Sequence, residues 1–174
     1  NDLAAGSAKR TLQAGAGVLS VTYYSPLDLS KWTPAANKPL KVVLTATLPN
    51  DEGQGIYLSK TTVTSAVTGP NGPLPAPAPF VDQAVVGPGN SIKSPYSYEL
   101  TYVIGALDPA ATSITLSFAY DILTQTTPAA EGIAPRINGL APCRPKALLS
   151  SKSHALQLEA TLGDLKPAVH WTIP

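Results

Sequence analysis

The chain has 174 residues, enough for one domain with a substantial core and cramped for two. Charged residues make up 13% of it, and the net charge of +1 comes from scattered lysines and arginines, which argues against a nucleic-acid footprint or a patch for anionic membranes. A single cysteine, Cys143, excludes an intrachain disulfide and a cysteine-based metal site, and no apolar run is long enough for a transmembrane helix.

Prolines and glycines punctuate the sequence at short intervals, and the segments between them alternate apolar and polar residues with period two. This pattern predicts an all-β antiparallel sandwich of about seven to eight strands. Lys9-Arg10, the one adjacent basic pair, reads as a solvated turn near the start. Val18 to Tyr24 is the first clear strand, with Leu19, Val21 and Tyr23 on one face; Thr11 to Gly17 would extend it, Gly15 and Gly17 marking a bulge or a close backbone approach. Ser25 to Pro39 is an irregular connection in which Trp32 caps one end of the core.

Leu40 to Leu48 is the cleanest strand, with Leu40, Val42, Leu44, Ala46 and Leu48 facing inward. After a turn at Pro49 to Gly53 comes a β-prone run from Ile56 to Thr68. Pro70 to Pro79 holds five prolines and predicts an extended crossing outside any ladder. Phe80 to Val86 is a short strand. Tyr96, Tyr98, Leu100, Tyr102 and Ile104 define another, and Ile114, Leu116, Phe118, Tyr120 and Ile122 a third.

Between the last two, Leu107-Asp108-Pro109-Ala110-Ala111-Thr112 precedes alternating apolar residues. This Leu-x-Pro-x-x-Thr pattern resembles the corner between strands E and F of fibronectin type III and other immunoglobulin-like sandwiches. Ile114 stands where those families place a tyrosine. The resemblance spans about 15 residues and implies an architecture without an active site.

Residues 1–125 are therefore read as the sandwich core, 126–145 as a Pro/Gly-rich linker, and 146–174 as a late β segment that completes its own sheet or a neighbouring subunit's. In that segment Leu156, Leu158, Ala160 and Leu162 alternate with polar residues, as do Val169, Trp171 and Ile173. Gly163 to Pro167 could join the two as a hairpin.

The chemistry-bearing residues are sparse. His154 and His170 have no metal-ligand spacing, and nucleophile-elbow, phosphate-loop and dinucleotide signatures are absent. Asn50-Asp51-Glu52 offers three oxygen donors but lacks the spacing of a calcium loop and reads as a polar turn. No catalytic, cofactor-binding or metal residues are nominated. The start at Asn1 and the lack of methionine suit a mature chain that has lost a leader, or a piece of a longer one.

Three functions follow as expectations. The first is a non-enzymatic extracellular subunit of a pilus, fibre, surface layer or virion, associating with itself or another surface protein through strand contacts. The second is a secreted or surface-anchored module that binds carbohydrate or protein, and the third a small hydrolase built around His154 or His170. The candidate interaction residues are Trp32, Tyr96, Tyr98, Tyr102, Leu156, Leu158, Leu162 and Trp171.

Overall fold

In the computed structural model the alternating segments form two antiparallel sheets. The structure describes Leu3 and residues 6–14, 17–125 and 149–161. The strands are β1 (Ser7–Ala14), β2 (Gly17–Tyr24), β3 (Lys38–Thr47), β4 (Ile56–Gly69), β5 (Gly72–Leu74), β6 (Phe80–Gln83), β7 (Asn90–Ser91), β8 (Tyr98–Ile104), β9 (Ser113–Gln125) and β10 (Leu149–Thr161). One sheet runs β1-β2-β3-β8; the other runs β10-β9-β4, with β5, β6 and β7 sharing the far edge of β4.

Period-two patterning decides which faces meet. Leu19, Val21 and Tyr23 of β2, Leu40, Val42, Leu44 and Ala46 of β3, and Ile114, Leu116, Phe118, Tyr120 and Ile122 of β9 are all buried in one shared core. Each large aliphatic or aromatic side chain so buried contributes about 1.5–3 kcal/mol. Two ring contacts fix the alignment of the sheets. Tyr23 packs on Phe118 with ring centroids 5.1 Å apart, and Phe80 packs on Tyr102 at 5.4 Å. With β2 lying over β9 and β8 over β6, β1 and β10 fall on the same flank.

The opposite flank is closed by backbone. The Ile92 N–H donates to the Ile56 carbonyl of one sheet, and the Ile92 carbonyl accepts from the Ala46 N–H of the other. Residues 90–94 thus pass from sheet to sheet, with Ile92 fully buried between them.

Four local expectations change. Lys9 and Arg10 lie inside β1, which forms a hairpin with β2 from Ser7 opposite Tyr24 to Ala14 opposite Gly17. Gly17 does mark a close approach, since a Cβ there would stand 3.1 Å from the Thr47 carbonyl. The proline stretch enters a ladder after all: Gly72–Leu74 pairs with Val67–Gly69, and Pro73 is tolerated because β5 lies at the sheet's outer edge, where a missing N–H costs little. Tyr96 falls before β8, where its N–H closes a turn onto the Lys93 carbonyl immediately after Pro95. Among the described residues the sheets contain ten strands where seven to eight were expected, because β1 is separate from β2 and the edge along β4 is broken into three pieces.

A bulge governs β4. Its register with β9 shifts between Leu58 and Lys60, so inward-facing residues are Ile56 and Leu58 before the shift and Thr61, Val63 and Val67 after it. The extra residue turns the Thr61 hydroxyl into the core, where it has no hydrogen-bond partner.

Candidate functional site

The end of the sandwich carrying Trp32 was a candidate recognition surface, and it is internally tied. Asp28 caps a single 3-10 turn at Leu29–Lys31; its carboxylate accepts from the Ser30 N–H, which holds its pKa below the usual range. Trp32 is 3% exposed and donates its indole N–H to Ser25 Oγ at 3.2 Å, while Ser25 Oγ donates to the Pro39 carbonyl. Its ring belongs to the core, as a cap over the end of the sheets.

At the start of β3 lies Lys38, fully buried on its inward face. Its Nζ donates to the carbonyls of Thr33 at 3.1 Å, Pro34 at 3.2 Å and Gly105 at 3.1 Å, and to that of Ala36. The Leu107 N–H also donates to the Pro34 carbonyl, at 2.8 Å. Burial lowers the Lys38 pKa from the ordinary lysine value. An ammonium enclosed by main-chain carbonyls cannot reach a substrate; it locks residues 33–36 onto the end of β8. Nothing in the sequence distinguishes this lysine except its place at an inward position two residues before Leu40.

The other candidate aromatics divide by exposure. Tyr102 is buried against Phe80, Tyr98 is half-buried, and Tyr96 is 65% exposed. Alternation on one strand had grouped the three, but only Tyr96 stands out in solvent, apart from the other two. Asp51 accepts from the Lys93 ammonium and the Gly53 N–H, which depress its pKa, so this carboxylate serves the turn. No group of three or more metal-ligating side chains occurs among the described residues. His170, Leu162, Trp171 and Cys143 lie outside them, as do the linker and the late hairpin.

Two cross-strand ion pairs neutralise charges on the outer faces. Lys41 on β3 pairs with Glu99 on β8, and Lys60 on β4 pairs with Asp121 on β9 at 3.0 Å. Each exposed pair is worth at most about 1 kcal/mol, but it leaves the outer faces with little net charge. Around Lys60 and Asp121, β4 and β9 present Thr62, Thr64, Ala66, Thr115, Ser117 and Ala119.

The two edges of the β4/β9 sheet differ sharply. Along β4 the partners are three short pieces separated by Pro75, Pro77, Pro79 and Pro88, a construction that resists pairing with another chain. Gly89, at φ +141°, allows the last piece to dock: a Cβ there would stand 2.4 Å from the Leu58 carbonyl. Along β9 the edge is unbroken and is covered by β10 over its whole length, from Leu149 opposite Gln125 to Thr161 opposite Ser113. Leu156 and Leu158 are the register partners of Phe118 and Leu116, and His154 that of Tyr120. The β9 edge and its covering strand are the candidate interaction site.

No known family model matches the chain, and no curated protein matches it. Among solved structures, one named pT26-6p is similar over 91% of this chain at 11% identity, with a TM-score of 0.46. This chain spans 34% of the length of that one. No helix among the described residues is long and apolar enough to cross a membrane.

Proposed function

We propose that this protein is a non-enzymatic structural subunit of an extracellular assembly, secreted or held at a surface, which associates through β-strand contacts at the β9 edge. The observation that carries this reading is the asymmetry of the β4/β9 sheet. One edge is fragmented by proline, whereas the other is a continuous 13-residue strand whose cover, β10, is separated from it in the chain by residues 126–148. Such an edge, where uncovered, is a template for strand addition, and among the described residues it is β10 that covers it. The outer face of the β4/β9 sheet, built from Thr, Ser and Ala around the Lys60–Asp121 pair, supports close packing between subunits.

The immunoglobulin-like or fibronectin III-like architecture belongs to the same proposal. Strand order supports it: β2 beside β3, β3 beside β8, β4 beside β9 and β9 beside β10 reproduce the A-B, B-E, C-F and F-G neighbours of those sandwiches. The edge of β4, beside C, is filled by β5, β6 and β7.

Analytical ultracentrifugation of the full chain from micromolar to millimolar concentration, with electron microscopy of the same samples, tests the function. Ordered multimers are expected as concentration rises. A strict monomer throughout refutes the proposal, and so does hydrolytic activity that depends on His154 or His170.

A further inference from the structure

Gln125 and Leu149 are direct partners in the β9–β10 ladder. Antiparallel neighbours that meet this way need a connection of about 2–5 residues. Here residues 126–148 intervene, a length that spans on the order of 75 Å when fully extended. The ladder itself constrains only backbone register, so β10 of one chain can occupy the same place beside β9 of another, given a connection long enough to reach. This one is long enough.

We infer that β10 is exchanged between copies of this chain, the strand at Leu149–Thr161 of one copy filling the β9 edge of the next. The inference rests on the assembly reading above and names its partner and its strand. Two features favour a second copy over an unrelated protein. The register between β9 and β10 is continuous over 13 pairs, without the shift seen between β4 and β9, so the native strand already fits the whole edge. The β4 side is blunted by proline and is closed by Phe80 and Ile92, so strand addition is directed to one side of the molecule.

Within one chain β10 competes at an effective concentration on the order of millimolar. Exchange therefore becomes comparable to internal pairing when copies are held at that density, as in an array or a filament.

The test uses two full-length chains in a Cys143→Ser background, one carrying Ser117→Cys and the other Gln157→Cys, the register partners across β9 and β10. Neither chain alone can form this pair. When the two are mixed, incubated and oxidised, the mixed disulfide is expected to rise at least tenfold over random pairing between micromolar and millimolar concentration. Replacing residues 126–148 by Asn-Gly, whose type I′ turn favours the internal hairpin over exchange, is the second variant and should abolish multimers at micromolar concentration.

Multimers without the mixed disulfide, or multimers that persist with the short turn, overturn exchange and leave assembly by other contacts standing. A strict monomer at millimolar concentration overturns both. If the cysteine chains misfold, the short-turn variant decides alone.

Discussion

The Tyr23 hydroxyl lies 2.9 Å from the Tyr120 hydroxyl, forming a buried hydrogen bond between the two sheets within a largely apolar core. The stacked rings of Phe118 and Tyr120, and the tilted contact of Tyr23 on Phe118, hold it in place. Either Tyr23→Phe or Tyr120→Phe deprives the remaining buried hydroxyl of this partner and should cost about 1–2 kcal/mol. The double variant should recover most of that loss, because two phenyl rings leave neither half of the pair behind. Urea unfolding of the four proteins checks this; strictly additive losses would contradict it.

Burial pushes both phenols above the ordinary tyrosine range. In the unfolded chain they ionise near pH 10, so above that pH the unfolded state has lost protons that the folded state still holds. Stability is accordingly full below about pH 10 and falls as pH rises beyond it, by up to about 1.4 kcal/mol per pH unit for each tyrosine. Lys38, with a lowered pKa, acts in the opposite sense just below the ordinary lysine value of 10.5. Urea midpoints between pH 8 and pH 11 should fall more steeply for the native chain than for the double phenylalanine variant, which cancels the Lys38 contribution.

Lys38→Met keeps the apolar stem and removes the ammonium, leaving the carbonyls of Thr33, Pro34, Ala36 and Gly105 without that donor. A loss of about 2–3 kcal/mol is expected, since hydrogen bonds to charged groups are the stronger class. Amide hydrogen exchange should show the effect concentrated in residues 33–37 and around Leu107. A loss spread evenly over β3 would point to core packing instead.

Thr61→Val should stabilise the protein by about 1 kcal/mol. The replacement conserves shape and removes a hydroxyl that is buried without a partner. Thermal unfolding reads the gain directly, and Thr61→Ser, which retains the hydroxyl and loses a methyl, should move the midpoint the other way.

How far the sequence reaches is clear from particular strands. Alternation identified the inward faces of β2, β3 and β9 residue by residue, because each lies in a sheet with one buried face. It failed on β4, where one extra residue reverses the phase between Leu58 and Thr61, and on Tyr96, where proline ends the extended backbone before β8 begins. The candidate site was legible as a late β segment after a Pro-rich stretch. The edge it covers was not, since strand neighbours far apart in sequence leave no mark on local pattern.

The sequence by itself determined the β class, the main inward faces and the sparse charge, because each follows from side-chain type at period two and from composition. Only the tertiary structure decided that Lys38 is enclosed by carbonyls and that β10 covers β9 along its whole length. The Trp32 cap was already legible in the sequence; the surroundings of Lys38 and the neighbours of β9 depend on which strands lie beside and above one another, and that is settled by cooperative burial of two faces at once.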